Sequence, residues 1–197
     1  MSFSSPSTTV ALKHSASLAA QAAWTIGFAA ATALAARLEI PHSPVPYTLQ
    51  TLLVLLSGAF LGWRNGAISQ LLYLAAGSLG LPVFAGGAAG LVSILGPTGG
   101  YLLAFPASAA VVGFLVSQER TLLWTFVSMA IGLGIVFVSG TLQLYTVMLH
   151  DIGQAINAGL LIFSWWDGLK LAAATMIYFE FAKRWPRLPG SSDIERN

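Results

Sequence analysis

Long runs without a charged side chain divide this sequence, and they constrain its fold more than any other feature. Residues 65–118 contain no Asp, Glu, Lys or Arg, and residues 15–36 form a second run of the same kind. A helix needs about 20 mostly apolar residues to cross a bilayer. The longer run exceeds one crossing helix and fits two helices with a loop between them. The sequence therefore predicts an integral membrane protein.

The composition excludes several other classes of protein. Only 8% of the residues are charged and 56% are hydrophobic, with a mean hydropathy of +0.75, whereas soluble domains carry about 25% charged residues. So few charges could not cover the surface of a soluble enzyme. The net charge of +2 and the lack of a basic patch argue against nucleic-acid binding. The absence of cysteine excludes disulfides and Cys-ligated metals.

The breaks between apolar runs predict an all-α domain of six transmembrane helices that covers the whole chain. Three prolines between residues 41 and 46 end the first helix, and seven of the 20 glycines fall in residues 80–100 and indicate a loop. We predict a tight turn at residues 63–66 and a polar loop at residues 150–157. The predicted helices are residues 15–36, 48–62, 67–79, 99–116, 121–149 and 163–182. Residues 1–15 and 183–197 are predicted to be cytoplasmic tails.

The distribution of basic residues predicts the orientation in the membrane. Six crossings place both termini on one side, and positive charge accumulates on the cytoplasmic side. The side of the termini would carry Lys13, Arg64, Arg120, Lys183, Arg184, Arg187 and Arg196. The opposite side would carry only Arg37 and Lys170. We therefore expect cytoplasmic termini and a binding face built from the irregular outer loops.

Motifs of soluble catalysis are missing from the sequence. It contains no phosphate-binding loop, no G-x-S-x-G and no H-E-x-x-H. His14, His42 and His150 fall in the predicted tail and in two different loops, so we expect neither a metal site nor a cofactor. A membrane hydrolase is disfavoured for the same reason, since no nucleophile is paired with a base.

Asp167 and Lys170 are the most informative pair of residues. They lie three positions apart, directly after Trp165 and Trp166, so they share one face of the last helix. Charged side chains in a membrane helix usually face the interior of the bundle. The pair could be an interfacial ion pair below aromatic anchors. Alternatively it could bind a small polar molecule with both donors and acceptors, such as a cyclic urea.

The glycine-rich loop offers a second candidate. Gly86 and Gly87 precede the block from Gly96 to Tyr101, which includes Thr98. Glycine allows positive φ angles and close backbone approach. The loop could be a simple connection, or residues 81–95 could fold back as a lid, with Tyr101 presenting its hydroxyl at the same depth.

The first predicted helix carries a ridge of small residues. A small side chain recurs every fourth position, and this spacing allows another helix to approach closely. The ridge could pack inside the bundle or form the docking face for a partner protein. Its members are Ala19, Ala23, Gly27, Ala31 and Ala35.

These stretches together resemble the BioY family, the biotin-specific substrate-binding (S) components of energy-coupling-factor transporters. The matching stretches are PVPYTLQT at residues 44–51, LY at 72–73, GLPVFAGG at 80–87, LGPTGGY at 95–101 and D-x-x-K at 167–170. The resemblance covers about residues 29–174. Two departures are Trp165–Trp166 in place of a Pro-Gly turn, and a loop at residues 85–95 without a charge. Backbone N–H groups or Lys170 would then meet the carboxylate of biotin.

The resemblance implies a fold, a ligand and partners. A six-helix bundle in the bacterial cytoplasmic membrane would bind biotin near its outer face through Asp167, Lys170 and Tyr101, with Gly86, Gly87 and Thr98 in the glycine blocks. Partners would be a transmembrane coupling (T) protein and a pair of ABC-type ATPases, and the ridge on the first helix would match the docking surface for them. A solitary biotin carrier or an S component for another small vitamin is the alternative.

Overall fold

Helices make up almost all of the regular structure in the computed structural model, which describes residues 6–160 and 164–184. The helices are α1 (Pro6–Arg37), α2 (Gln50–Ser78), α3 (Leu91–Leu95), α4 (Gly99–Gln118), α5 (Leu122–Leu144), α6 (Ile152–Gly159) and α7 (Ser164–Arg184). The strands β1 (Glu39–Ile40) and β2 (Tyr47–Thr48) form a small antiparallel hairpin between α1 and α2. A 3₁₀ turn at Ala85–Gly87 precedes α3, and a π-helical turn at Tyr145–Leu149 continues α5.

Four stretches of the described chain are long and apolar enough to cross a membrane. They are Leu18–Arg37, Gln50–Ser78, Gly99–Gln118 and Leu122–Leu149. The prediction of an all-α membrane protein is therefore confirmed. The predicted helix start at residue 163 and the basic residues Arg187 and Arg196 lie outside the described residues.

The second helix, α2, consists of two antiparallel legs that meet at Gly62. Gly62 has φ 77° and ψ 177°, a conformation that is essentially restricted to glycine. Across the legs, Gln50 Nε2 lies 2.5 Å from the Tyr73 hydroxyl, and Gln70 Nε2 lies 3.0 Å from Ser57 Oγ. A straight helix rises 1.5 Å per residue and would hold each pair far apart, so the chain must reverse.

These two legs correspond to the second and third predicted helices. The predicted position of the turn was wrong, because residues 63–66 open the second leg and only Gly62 leaves the helical conformation. The polar residues 63–66 predict the break, whereas the backbone freedom of one glycine decides it.

Two other boundaries differ from the prediction. The first helix begins at Pro6, so residues 6–15 of the predicted tail are helical, and proline is well suited to the first position of a helix. Residues 150–157 were expected to be a loop, but most of them belong to α6. Asp151 caps this helix by accepting a hydrogen bond from the backbone N–H of Gln154 at 2.8 Å. Ala155 anchors it by being fully buried.

The helices pack closely through small residues, as in many membrane bundles. The leg of α2 that precedes Gly62 crosses α4 at Gly58, where an added Cβ would overlap the carbonyl group of Ala109. On the other side of α4, Ser108 Oγ donates to the carbonyl of Gly132 in α5 at 2.8 Å. Helix α4 is thus held between α2 and α5, and its N-terminal end faces the site described next.

Candidate ligand-binding site

A cavity of about 250 Å³ lies where the hairpin, α2, α4 and α7 meet. The segment between α2 and α4, residues 82–98, forms one wall and is called the lid segment below. Apolar and aromatic side chains make up most of the surface. The lining residues are Val45, Pro46, Thr48, Gln50, Thr51, Phe84, Ala85, Ala88, Val92, Ser93, Gly96, Pro97, Thr98, Tyr101, Leu102, Phe105, Phe137, Asp167 and Lys170.

Asp167 and Lys170 are the charged residues among those that line this cavity. They lie one helical turn apart on α7, with Lys170 Nζ 2.5 Å from Asp167 Oδ1. Only 2% of Asp167 and 6% of Lys170 is exposed. The pair therefore faces the interior of the bundle, and the interfacial ion pair considered from the sequence does not describe this geometry.

The ammonium group of Lys170 has three acceptors within the protein. Besides Asp167 Oδ1, Nζ donates to Thr51 Oγ1 at 2.7 Å and to the backbone carbonyl of Thr48 at 3.0 Å. A lysine ammonium carries three N–H donors. All three are thus matched by groups on α7, β2 and the start of α2, which links these elements at the cavity.

The carboxylate of Asp167 is satisfied on one side only. Oδ1 accepts from Lys170 and also from Thr51 Oγ1, at 3.4 Å. Oδ2 is buried and has no hydrogen-bond partner among the residues that the structure describes. A buried, unpaired carboxylate oxygen is costly, and because Asp167 lines the cavity, a ligand N–H group could satisfy it there.

Aromatic rings enclose the rest of the cavity. Phe84 and Phe105, each 2% exposed, contact Tyr73, whose ring centroid lies 5.5 Å from that of Phe84 and 6.3 Å from that of Phe105. At the other side, Tyr101 donates its hydroxyl to the carbonyl of Gly159 at 2.8 Å and packs edge-on against Phe137. A few polar groups on mostly apolar walls are typical of small-molecule sites.

A model of the BioY family matches residues 7–187 of this sequence. This chain belongs to the BioY family. The match covers every element that forms the cavity. The resemblance inferred from the short motifs is thereby confirmed.

Related proteins and one solved structure agree with this assignment. The biotin transporter BioY of Thermotoga maritima is 38% identical over 156 residues, which is 79% of this chain and 92% of that protein. The probable biotin transporter BioY of Pyrococcus horikoshii is 36% identical over 150 residues, or 76% and 88% of the two chains. The crystal structure of an S-component for biotin from an ECF-type ABC transporter matches with a TM-score of 0.79 at 23% identity. That match covers 94% of this chain and 97% of the other and shows a common fold.

Four of the six BioY site residues predicted from the sequence line the cavity. Asp167, Lys170, Tyr101 and Thr98 are brought together although the first two lie on α7 and the others at the start of α4. Gly86 and Gly87 are not among the lining residues.

Gly86 and Gly87 instead shape the lid segment. Their φ angles are +65° and +74°, which favour glycine, and the turn they form presents the flanking residues Ala85 and Ala88 to the cavity. Next to this turn, Arg37 Nη2 donates to the carbonyl of Pro82. The end of α1 thus holds the start of the lid segment.

The members of the small-residue ridge of this BioY chain differ in burial along α1. Ala19, Ala23 and Gly27 are exposed, whereas Ala31 is half-buried and Ala35 is buried. A Cβ added at Gly27 would meet nothing within 4 Å. The first half of the ridge therefore faces away from the bundle.

Several cavity residues escaped individual notice in the sequence. The sequence predicts no individual role for Thr48, Gln50 and Thr51 within the stretch at residues 44–51, although Thr48 and Thr51 contact Lys170 directly. Their distance of about 120 residues from α7 hides this contact from any local pattern. The only available signal was their position directly after three prolines, which predicts an irregular segment leading into a helix.

Proposed function

We propose that this chain is the biotin-specific S component of an energy-coupling-factor transporter and that the cavity binds biotin. Three findings support this function: membership of the BioY family, the biotin transporter BioY of Thermotoga maritima as a relative, and a fold shared with an S-component for biotin. In this role the chain binds and carries its ligand, and its partners hydrolyse ATP.

The unpaired Oδ2 of Asp167 is the observation that carries the proposal. Biotin has a cyclic urea whose N–H groups are donors, and a buried carboxylate oxygen is a strong acceptor for them. Since Lys170 balances the charge of Asp167 at 2.5 Å, a neutral ureido group can bind there without an added net charge.

The remainder of the cavity suits the apolar part of biotin. Phe84, Phe105 and Phe137 would cover the thiophane ring and the valeryl chain. Thr98 and Tyr101 line the same cavity at the start of α4. The lid segment, shaped by Gly86 and Gly87, would close over the ligand.

The membrane arrangement that fits this role has six crossings. The two legs of α2 count as separate crossings, and α1, α4, α5 and α7 supply the other four. The cavity lies at the end of the bundle opposite Gly62, so Arg64 and Arg120, which follow Gly62 and α4, lie at the other end. The positive-inside rule then places both termini in the cytoplasm and the cavity on the outer side of the bacterial cytoplasmic membrane.

Transport requires partners in this proposal. A transmembrane coupling protein and a pair of ABC-type ATPases would supply the energy, and the exposed small residues Ala19, Ala23 and Gly27 would form the docking surface. Helices approach one another most closely across such small side chains. The buried end of the ridge, at Ala35, packs inside the bundle instead.

Titration calorimetry of the purified protein in detergent tests the proposal. Wild type should bind biotin, and Asp167→Asn should keep the fold but weaken binding by at least about 100-fold, because a charge-assisted hydrogen bond is lost. Asp151→Asn is the matched control, since Asp151 is exposed and asparagine also caps helices well. Unchanged binding by Asp167→Asn would refute the proposed role of this residue.

Mass spectrometry of the ligand that copurifies from native membranes separates this function from its alternative. Biotin is the expected molecule. Recovery of a different vitamin, together with no binding of biotin by wild type, would point to an S component of other specificity.

A further inference from the structure

The side chain of Thr51 hydrogen-bonds to both members of the charged pair. Its hydroxyl accepts from Lys170 Nζ at 2.7 Å and donates to Asp167 Oδ1 at 3.4 Å. A hydroxyl offers one donor and two acceptor sites, so both contacts are made at once. The contacts reach across more than 115 positions of sequence and join the start of α2 to α7.

These contacts distinguish the two oxygens of Asp167. Oδ1 has two donors within the protein, whereas Oδ2 has none among the described residues. The side chain is therefore held by Oδ1, and Oδ2 is left as the acceptor for a ligand. Without the hydroxyl of Thr51, Lys170 would keep Asp167 Oδ1 and the carbonyl of Thr48 but lose its third acceptor.

We propose that Thr51 is a positioning residue for ligand binding, which together with Lys170 holds Asp167 by Oδ1 and so leaves Oδ2 as the acceptor for the ligand. The inference rests on the proposed function, because it assigns the role of Thr51 to the binding of biotin. Thr51 need not touch the ligand in this arrangement. Lys170, with all three donors used inside the protein, also acts on the ligand through Asp167.

A double-mutant cycle on biotin affinity tests whether Thr51 acts through Asp167. Thr51→Val should weaken binding by about tenfold or more, and Thr51→Ser, which keeps the hydroxyl, should bind within about threefold of wild type. In an Asp167→Asn background, Thr51→Val should have almost no further effect. Thr51→Ala serves as a second variant should Thr51→Val fail to elute as a folded protein.

The control separates positioning from general destabilisation. Thr25 is a buried threonine of α1 whose hydroxyl bonds to the carbonyl of Gln21 at 2.8 Å, far from the cavity, and Thr25→Val should leave biotin affinity unchanged. Suppose that wild type binds biotin while the double variant loses affinity by the product of the two single fold-losses. In that case Thr51 and Asp167 act independently, and the positioning role is refuted. If wild type does not bind biotin, the proposed function itself is refuted.

Discussion

The amide of Gln50 donates to the hydroxyl of Tyr73 at 2.5 Å, and this contact joins the two legs of α2 beside the cavity. The hydrogen bonds continue on either side. Thr48 Oγ1 donates to Gln50 Oε1 at 2.9 Å, and the Tyr73 hydroxyl donates to the carbonyl of Val83 at 3.3 Å. Since the carbonyl of Thr48 accepts from Lys170, a continuous chain connects the charged pair with the lid segment.

We predict that Tyr73→Phe loosens the lid segment. The change leaves the buried amide of Gln50 without an acceptor and the carbonyl of Val83 without a donor, and unsatisfied buried groups cost about 1–3 kcal/mol each. Biotin should dissociate several-fold faster, as measured by chasing labelled biotin with an excess of unlabelled ligand. Tyr145→Phe, at a half-buried tyrosine of the π-helical turn, is the control. Equal dissociation rates for Tyr73→Phe and wild type would argue against the connection.

The charged pair could be predicted from the sequence because its signal is local. Two opposite charges three positions apart in an apolar segment are rare and usually face the interior, and the structure places Asp167 and Lys170 there. Hydropathy also located the long helices, although α1 begins at Pro6, well before the predicted start at residue 15. The small residues of α1 could be recognised but not assigned, because spacing alone does not reveal which half of the ridge is covered.

The rest of the site depends on contacts between distant parts of the chain. Thr51 meets α7 only through the packed bundle, and the reversal at Gly62 depends on one backbone conformation. The eight-residue helix α6 is shorter than a membrane crossing, so a search for long apolar runs passes over it. No local pattern encodes the first two features, whereas Asp151 with Gln154 three positions later is a local signal for the start of α6.

We predict that Gly77→Ala changes the shape of the cavity, although Gly77 is not among the residues that line it. A methyl group at Gly77 would overlap the ring of Phe84, which is 2% exposed and forms a wall of the cavity. The ring must therefore shift toward the cavity that it lines, and overpacking of this kind costs about 1–3 kcal/mol. Biotin affinity measured by calorimetry should fall by about tenfold.

The matched control for Gly77→Ala is Gly134→Ala. A Cβ at Gly134 would meet nothing within 4 Å, and alanine in a helix is favoured over glycine. This variant should bind biotin as wild type does. If both variants keep full affinity, the position of the Phe84 ring does not matter for binding.

We predict that Gly62→Ala destabilises the bundle without altering the site. With φ 77° and ψ 177°, any residue with a Cβ is strained by about 1–3 kcal/mol at this position. The midpoint of thermal unfolding in detergent should fall clearly below that of wild type and of Gly134→Ala. Because Gly62 lies at the end of the bundle opposite the cavity, the folded fraction should retain normal biotin affinity. An unchanged midpoint would show that the legs of α2 reverse without need of glycine.

We predict that Gly27→Leu separates ligand binding from transport. Gly27 is exposed and a Cβ there would meet nothing within 4 Å, so the fold and biotin affinity should stay as in wild type. On the docking surface, the same side chain would keep the coupling protein from close approach. Copurification of the coupling protein and biotin uptake by cells should therefore both fall sharply.

Gly134→Leu is the control for this last experiment, because Gly134 lies on α5, away from the ridge, and a Cβ there would also meet nothing within 4 Å. It should leave copurification and uptake intact, since the position is not part of the proposed docking surface. Normal uptake by Gly27→Leu would remove α1 from the docking surface. Loss of biotin binding in detergent would instead show that the exposed half of α1 supports the cavity. The link would then be the hydrogen bond from Arg37, at the end of α1, to the lid segment.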